Sequence, residues 1–368
     1  MYRTKHSLQP LLSPDQYFSP QAHREDSARL RGSAWHLVGT KCSLASPGDY
    51  IATTILGTPI LVRNCDGNLH GFRNVCAHRH CELFDEGIGH SDQFKCRYHG
   101  WQYGADGLTR RLPKAFLFPK FERGKHCLET FEVECCGQLV FVKLSAHAPS
   151  LKDWFGTYFD EFGKCNDPSR WMSNLKQCRT HEANWKIVIE GSLESYHIDE
   201  VHPKTFGQDP GEEASDHEFR TTGSSITTVV PGSHFYERIE RWSLAWLTKD
   251  YAGTYRHVHV YPNLMASFTD STSLYYQIEP VSPEQSQMRI CGFGPRPKQA
   301  DLLRQVYGWF LRKAAAKVVL NVLEEDAVIF PKVQRGKRNA IDNGIYARSE
   351  ERLESFQRHL SNISLEVD

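Results

Sequence analysis

The amino-acid sequence predicts an α+β fold, because its strand-like and helix-like segments are separated along the chain. Short β-rich runs divided by turn signals lie between residues 34 and 73, and a second set of such runs lies between residues 224 and 292. A long amphipathic pattern follows over residues 298–330. At 368 residues the chain is long enough for two domains with well-formed cores.

The composition restricts the partners and the compartment. Lys plus Arg equals Asp plus Glu at 44 each, which gives no argument for nucleic acid or an anionic membrane as a partner. No apolar run approaches the ~18 to 20 residues that span a bilayer. The 11 cysteines are scattered and odd in number, so we expect a reducing compartment rather than a disulfide framework. We therefore expect a soluble, cytoplasmic protein that binds neither nucleic acid nor a membrane.

The first 144 residues are predicted to form an arm followed by a small β domain. Residues 1–34 are a Pro-rich arm in which Ser19-Pro20 favours the start of a short helix that reaches Leu30. Strands are predicted at 34–38, 49–56, 58–63 and 69–73, with turn signals such as Asp66-Gly67-Asn68 between them. These short strands indicate a small antiparallel domain over residues 35–144.

Two short motifs in this domain each offer one Cys and one His. They are Cys76-Ala77-His78 and Cys96-Arg97-Tyr98-His99. Such a pair of loops can bind a two-iron cluster, with thiolates on one iron and neutral imidazoles on the other. The alternative is a structural zinc site, although zinc sites usually pair like ligands at short spacing. We expect His80 and Cys81 to pack or face solvent, because Cys76 and His78 already complete their half of the set.

A second candidate metal site lies in a central helical segment, residues 181–203. Glu190, Glu194 and His197 follow i, i+4 and i+7 spacing, which predicts one helix face. His202 lies about 140° away from that face, and Pro203 after it disfavours helix. We therefore expect the helix to end or bulge after His197, so that both imidazoles converge. Two His and one carboxylate suit ferrous iron with open positions; the alternative is two His at a helix end, one of them solvated.

The remaining segments are a connector, a loop, a set of strands and a long helix. We predict an aromatic, helix-like connector at 145–180, a mobile loop at 207–216, and strands at 224–230, 255–260, 264–269, 273–279 and 287–292. His257 and His259 alternate on one strand, so both could face a pocket. The long helix at 298–330 has a single apolar face, which comprises Ala316, Val319, Leu320, Leu323, Ala327 and Phe330.

The third iron ligand is expected from the acidic run Glu324-Glu325-Asp326 on this helix. With Leu323 at zero, Asp326 lies about 60° to one side, Glu324 about 100° to the other, and Glu325 near the opposite face. Asp326 is therefore predicted as the ligand, and the alternative is an acidic run that only solvates the helix.

These motifs, together with the surrounding Arg73-Asn74-Val75 and Tyr98-His99-Gly100-Trp101, resemble those of the catalytic α subunits of Rieske non-haem iron oxygenases. The resemblance covers nearly the whole chain. It implies a Rieske domain at 35–144 and a catalytic domain at 145–368, with residues 1–34 as an arm of the latter. It also implies a sheet wrapped on the long C-terminal helix, forming a pocket over the iron. The chain departs from the family at His80 and Gly191, where Gly and Asn are common.

The resemblance further implies the cofactors and partners. A [2Fe-2S] cluster would be held by Cys76, His78, Cys96 and His99, and mononuclear Fe(II) by His197, His202 and Asp326. The acidic pair followed by Gln334-Arg335-Gly336 agrees with the family's third ligand. Glu194 would connect the cluster of one subunit to the iron of its neighbour in a homotrimer. No nucleotide or flavin fingerprint is visible, so electrons from NAD(P)H would arrive through a separate reductase or ferredoxin.

The implied activity is that of a terminal oxygenase that inserts oxygen from O2 into a small organic substrate. Glu194, where many ring-hydroxylating relatives carry Asp, favours a methylated amine such as carnitine. Aromatic faces bind a quaternary ammonium group; the alternative is that they pack the sheet. The candidates are Trp242, Trp246, Tyr251, Tyr255, Tyr275 and Tyr276. Alternative functions are a ring-hydroxylating dioxygenase, a redox or O2 sensor, and an electron carrier. Glu190 is expected to be structural, near Asn184 and Lys186, with a direct role as the alternative.

Overall fold

The computed structural model of the chain describes residues 1–5, 7–205, 209–229, 235–248, 251–299 and 301–362. The chain divides into two compact units, one formed by Arg31–Trp154 and the other by Met1–Leu30 with Phe155–Asp368. The predicted domain 35–144 lies inside the first unit. Strands and helices are segregated along the chain, so the α+β prediction is confirmed. No helix in the described ranges is long and apolar enough to cross a membrane.

The helices and strands are numbered in chain order. The helices are α1 (Pro20–Ser33), α2 (Leu151–Phe155), α3 (Tyr158–Cys165), α4 (Trp185–Glu190), α5 (Ile198–Val201), α6 (Gly211–Ala214), α7 (Phe235–Leu247), α8 (Leu302–Asn339) and α9 (Glu351–Leu360). The strands of the first unit are β1 (Trp35–Thr40), β2 (Asp49–Ile55), β3 (Thr58–Cys65), β4 (Asn68–Arg73), β5 (Gly87–His90), β6 (Gln102–Tyr103), β7 (Thr109–Arg111), β8 (Thr130–Cys136) and β9 (Leu139–Lys143). Those of the second unit are β10 (Trp171–His181), β11 (Ser215–Arg220), β12 (Gly223–Val229), β13 (Thr254–Val260), β14 (Leu264–Phe268), β15 (Ser273–Ser282) and β16 (Gln285–Pro295).

The unit of residues 31–154 is built on an antiparallel sheet. The described strands follow the order β1-β9-β8-β4-β3-β2-β5, and β6 pairs with β7 in a separate ribbon. The two Cys-His loops follow β4 and precede β6. A core that includes Phe72, Phe94, Trp101 and Tyr103 lies beneath them and also contains the two cysteines of the motifs. The two loops therefore pack on buried aromatic side chains.

The second unit contains an antiparallel sheet whose two faces are both covered. Its described strands follow the order β10-β16-β15-β14-β13-β12-β11. Because side chains alternate along a strand, Tyr275 packs on Phe162 of α3, while the neighbouring Tyr276 points to the opposite face, which we call the inner face. The inner face also carries His257 and His259, and it packs against α9 through the contact of His259 with Phe356.

Two strands of this sheet lie where the sequence predicted none. The connector at 145–180 was predicted to be helix-like, yet β10 occupies Trp171–His181 and pairs with β16 at one edge of the sheet. Strand β11 occupies Ser215–Arg220 at the end of the predicted loop 207–216. Both are edge strands with partly exposed side chains, so they lack the alternating apolar pattern of a half-buried strand. Residues 207, 208, 230 and 300 of the predicted elements lie outside the described residues.

Helix α8 continues nine residues beyond its predicted end at 330 and contains Pro331. Proline removes one helical hydrogen bond and strains the preceding turn. On either side of it, however, Phe330 and Gln334 are buried. The Gln334 Oε1 atom accepts a hydrogen bond of 2.7 Å from the backbone N–H of Asn184, and its amide nitrogen donates to the Tyr17 carbonyl. These tertiary contacts therefore stabilise the part of α8 that follows Pro331.

The central segment forms two short helices rather than one, which corrects the prediction of a single helix through His197. Helix α4 ends at Glu190 with Gly191 as its cap, and α5 begins only after His197. Glu190, Glu194 and His197 therefore do not share a helix face. At Gly191 a Cβ atom would lie 2.8 Å from Phe330 Cε1, so glycine permits α4 and α8 to approach closely.

Candidate metal centres

The two Cys-His loops have the same backbone hydrogen bonds. In the first loop, the Cys76 N–H donates to the Cys81 carbonyl at 2.8 Å and the His80 N–H donates to the Cys76 carbonyl at 3.1 Å. In the second loop, the Cys96 N–H donates to the Trp101 carbonyl at 2.8 Å and the Gly100 N–H to the Cys96 carbonyl at 3.0 Å. The two loops therefore present their Cys and His side chains in equivalent ways.

The four predicted cluster ligands come together at the tips of these loops. Cys76 and Cys96 are buried in the same core cluster, and Cys96 contributes to raising the pKa of the Cys76 thiol. The Nδ1 atoms of His78 and His99 are 3.1 Å apart on the more exposed side. Two inner sulfurs and two outer nitrogens fit a cluster with thiolates on one iron and imidazoles on the other. The Tyr103 hydroxyl lies 3.0 Å from the Cys76 Sγ atom and accepts a hydrogen bond from the Ala77 N–H.

His80 and Cys81 lie beside the first loop. His80 is exposed and has a φ of 58°, the left-handed conformation that Gly100 takes in the second loop with a φ of 77°. A non-glycine residue in this conformation is uncommon, and His is among the residues that adopt it most readily. The Cys81 thiol donates to the Glu82 carbonyl at 3.2 Å, and burial and the neighbouring Cys96 raise its pKa. The His80 backbone thus reproduces the turn that glycine provides in the other loop.

His197, His202 and Asp326 form a second group of converging ligands. One ligand atom from each lies within 4.8 Å of the others. The Asp326 Oδ1 atom is 3.0 Å from His202 Nε2 and 3.7 Å from His197 Nε2. The single turn of α5 creates this geometry, because His197 caps its start and His202 caps its end. Two imidazoles and one carboxylate with a free side are the donor set that suits ferrous iron.

A carboxylate holds the other nitrogen of each imidazole. Glu194 Oε1 lies 2.5 Å from His197 Nδ1, and Glu325 Oε2 lies 2.7 Å from His202 Nδ1. Burial lowers the pKa of His197, but its hydrogen bond to Glu194 and the nearby carboxylates outweigh this, so the pKa is raised overall. The same balance raises the pKa of His202 through Asp326 and Glu325. In metal sites, such partners fix the ring orientation and leave Nε2 for the metal.

Glu325 is the residue of this site that sequence reasoning missed. Its angle from Leu323 predicted a position near the exposed face of α8, whereas its carboxylate accepts hydrogen bonds from Thr205 and lies against His202. The cause is the segment after α5, which reaches over the flank of α8 and cannot be read from the helix periodicity. Glu324, in contrast, is exposed and pairs with Arg179 at 3.2 Å.

Glu190 lies apart from these ligand groups. Its carboxylate accepts hydrogen bonds from the Tyr17 hydroxyl at 2.6 Å and from the Gln357 amide at 2.8 Å. Burial raises its pKa, although these hydrogen bonds and the charges of Lys337 and Lys186 oppose the shift. The residue therefore joins three segments of its unit, consistent with the expected structural role.

His257 and His259 are buried on the inner face and are engaged with other groups. The Nε2 atom of His257 lies 2.7 Å from the Tyr276 hydroxyl, and that of His259 lies 2.9 Å from the Pro262 carbonyl. Burial is the main cause that lowers the pKa of His257 and brings that of His259 to about 3. Neither residue belongs to the group of converging ligands at the mononuclear site.

The six aromatic residues suggested for ammonium binding do not share one site. Tyr276 is buried and Tyr255 is partly buried on the inner face, whereas Tyr275 packs on the other face. Trp242 is 67% exposed, Trp246 contacts Arg304 and Tyr307, and Tyr251 contacts Arg241. Of the six, Tyr255 and Tyr276 therefore remain as candidates, because strand alternation excludes Tyr275, contacts with arginine engage Trp246 and Tyr251, and Trp242 is exposed to solvent.

Comparison with protein families agrees with the two donor sets. Residues 34–122 match the family model of the Rieske [2Fe-2S] domain. Residues 169–364, more than half of the chain, match that of the ring hydroxylating alpha subunit (catalytic domain). The first match favours the iron–sulfur cluster over a structural zinc at the four-ligand site.

Individual relatives give the same result. The chain is 31% identical over 193 residues to a glycine betaine monooxygenase oxygenase subunit of Chromohalobacter salexigens, covering 51% of this chain and 42% of that protein. It is 26% identical over 341 residues to a choline monooxygenase of Amaranthus tricolor, covering 87% of this chain and 70% of that protein. A solved quaternary ammonium Rieske monooxygenase matches with a TM-score of 0.79 at 19% identity, covering 95% of this chain and 94% of that one. This last likeness concerns the fold.

The family assignment is supported by the fold, by the two groups of converging side chains and by the matches over both units. The chain belongs to the family of ring hydroxylating alpha subunits of Rieske non-haem iron oxygenases.

Proposed function

We propose that the protein is a terminal oxygenase that inserts oxygen derived from O2 into a methylated ammonium compound. The observation that carries this proposal is the presence of two distinct donor sets in one chain, the Cys76, His78, Cys96 and His99 set and the His197, His202 and Asp326 set. An electron carrier needs only the first set. A metalloenzyme that activates oxygen needs the second as well.

When bound, the cluster supplies single electrons and the mononuclear Fe(II) supplies O2 activation at its open positions. The role of the protein is to hold the ligands. Glu194 and Glu325 keep Nδ1 of each imidazole protonated, so each ring presents an unprotonated Nε2. The Asp326 side chain is only 16% exposed, which limits competing hydration of its carboxylate.

Electrons would come from NAD(P)H through a separate reductase or ferredoxin, and the active form would be a homotrimer. In that assembly Glu194 would connect a His ligand of the iron to a His ligand of the neighbouring subunit's cluster. The hydrogen bond of Glu194 to His197 Nδ1 supplies one half of this connection. A cytoplasmic location is supported by the 11 cysteines, none of which forms a disulfide.

The substrate assignment rests on the relatives and on the inner face of the sheet. The relatives are named for glycine betaine, choline and carnitine, and Tyr255 and Tyr276 offer aromatic rings near the candidate iron site. Hydroxylation of an N-methyl group consumes O2, two electrons and two protons; one oxygen enters the C–H bond and the other leaves as water. The resulting carbinolamine breaks its C–N bond, giving formaldehyde, the demethylated amine and a proton.

The test is product analysis with cluster- and iron-loaded protein, a reductase, NADH and O2. Glycine betaine, carnitine and choline form one panel, and unsubstituted aromatic compounds form a second. Formaldehyde, or oxidised choline, formed only with reductase and O2 would support the proposal. Hydroxylated aromatic products without reaction of the ammonium panel would favour a ring-hydroxylating dioxygenase, and absence of product from both would favour a redox or O2 sensor.

A further inference from the structure

Arg352 of α9 is a buried cation on the inner face. The residue is 1% exposed, and among the residues that the structure describes no carboxylate forms an ion pair with it. Its neighbours on the helix are engaged elsewhere, since Glu351 binds His217 and Glu354 binds Arg358. A buried charge without a counter-charge is costly. Arg352 Nε donates to the Ser224 hydroxyl at 3.3 Å, but a neutral hydroxyl does not balance the charge, so an anionic ligand nearby would stabilise it.

The hydrogen bonds of Arg352 determine the tautomer of His257. The Arg352 Nη2 atom lies 3.0 Å from His257 Nδ1, and a guanidinium can only donate. His257 Nδ1 must therefore accept, so the neutral ring carries its proton on Nε2. That N–H lies 2.7 Å from the Tyr276 oxygen and donates to it. The hydroxyl hydrogen of Tyr276 therefore points away from His257 and can be donated to an acceptor on its other side.

Tyr276 lies near the candidate iron site. The hydroxyls of Ser267 and Ser192 both oppose the rise in the pKa of Tyr276 that burial causes, and Ser192 lies in the segment that joins α4 to His197. The pKa of the Tyr276 hydroxyl is raised, mainly by burial and in smaller part by Tyr255 and by the charge of Asp326. Asp326 is one of the three converging ligands. The side chain of Tyr276 thus connects the buried cation to the region where a substrate would be oxidised.

We propose that the Tyr276 hydroxyl, held as a donor by Arg352 through His257, binds the carboxylate of the substrate. The enzyme would then prefer methylated ammonium compounds that carry a carboxylate over those that carry only an alcohol. This inference rests on the function proposed above and makes it more specific. A carboxylate is a stronger acceptor for the Tyr276 hydroxyl than the neighbouring Ser267 and Ser192 hydroxyls, and it supplies the negative charge that Arg352 lacks.

The test is calorimetric titration of the cluster- and iron-loaded protein with glycine betaine and with choline, under argon. Wild type is expected to bind glycine betaine roughly tenfold more tightly than choline, because a hydrogen bond to a charged carboxylate is stronger than one to a neutral hydroxyl. Tyr276→Phe should weaken glycine betaine binding by about tenfold and leave choline binding nearly unchanged. Tyr275→Phe, on the other face of the same strand, is the matched control and should keep the preference.

A second variant tests the charge itself. Arg352→Gln keeps a donor for His257 but removes the positive charge, so it should also weaken only glycine betaine binding. The melting temperature and the paramagnetic resonance signal of the cluster establish whether each variant is folded. If Arg352→Gln does not fold, the binding data of Tyr276→Phe alone test the inference.

Equal affinity of wild type for both compounds, or equal weakening of both by Tyr276→Phe, would overturn this inference. If choline is still oxidised in that case, the proposed function stands without it. If neither compound binds or reacts, the proposed function itself fails.

Discussion

The Oε1 atom of Glu194 lies 2.5 Å from the Nδ1 atom of His197, and this contact leaves the Nε2 atom of His197 facing Asp326. The same carboxylate accepts a hydrogen bond from the His197 backbone N–H at 3.1 Å. Glu194 therefore fixes both the ring and the backbone of a predicted ligand.

If Glu194 also conducts electrons toward the iron, Glu194→Gln should slow cluster reoxidation in a single turnover by roughly 10- to 100-fold. The change removes a charge and acceptor capacity but little volume. Glu325→Gln is the matched control, because Glu325 has the same relation to His202. Stopped-flow absorbance of the cluster measures both, and equal rates in the two iron-loaded variants would disprove the bridging role.

Asp326→Ala should remove the mononuclear iron and leave the cluster, because two imidazoles alone give an incomplete facial site. Iron per chain and the absorbance of the cluster measure this outcome. Glu324→Ala is the control, since Glu324 is exposed and pairs with Arg179. Loss of iron in the Glu324 variant and not in the Asp326 variant would show that the assignment of the third ligand is wrong.

Cys76→Ser and His99→Ala should each abolish the paramagnetic resonance signal of the reduced cluster, because each removes one of the four ligands. His197→Ala should retain that signal and lose turnover. His80→Gly should also retain it, because glycine adopts the left-handed backbone of His80 without strain. A cluster signal lost with His197 would contradict the separation into two sites.

Gly191→Ala should destabilise the protein by about 1–3 kcal/mol, because the added Cβ atom would overlap Phe330 in a packed region. Chemical denaturation followed by circular dichroism measures the free energy of unfolding. Gly163→Ala in α3 is the control, since a Cβ atom there meets no atom within 4 Å. An unchanged free energy for Gly191→Ala would mean that α4 and α8 can separate at little cost.

Stability should fall in mild acid because of His259. Its pKa is about 3 in the folded protein, below its ordinary value of 6.5, and burial is the main cause. Above pH 6.5 the ring is neutral in both states; below it only the unfolded state gains the proton. The free energy of unfolding that neutral His259 contributes is therefore lost as pH falls from 6.5 toward 3, by about 1.4 kcal/mol per pH unit. Denaturation at pH 7 and pH 5 measures this slope, which His259→Gln should reduce; the same slope in both proteins would contradict the prediction.

The elements with strong periodicity could be predicted from the sequence. Strands β2, β3, β4 and β12 to β16 lie close to their predicted positions, and most of α8 follows its apolar stripe. Edge strands β10 and β11 could not be predicted, because their pairing with one neighbour leaves no alternating pattern. The end of α4 at Gly191 could not be predicted either, since Gly191 packs closely against Phe330, which lies more than a hundred residues away in the sequence.

The ligand residues could be predicted because metal sites require particular side chains at short spacing. His197, His202 and Asp326 converge in the structure, and so do the four residues of the Cys-His loops. Their role as ligands stays a prediction until metal is measured. The contacts of Glu325 and Arg352 could not be predicted, because their positions depend on how separate elements pack.

The unit that carries the predicted iron ligands is discontinuous in sequence. Tyr17, Glu190 and Gln357 meet through hydrogen bonds, so residues near both ends of the chain and from its middle close one structure. The unit of residues 31–154, in contrast, is continuous. During synthesis its strands have all left the ribosome before α9 exists. Cluster assembly can therefore precede iron loading, and a chain stopped before α9 would keep the four predicted cluster ligands while lacking Arg352 and the contacts that complete the other unit.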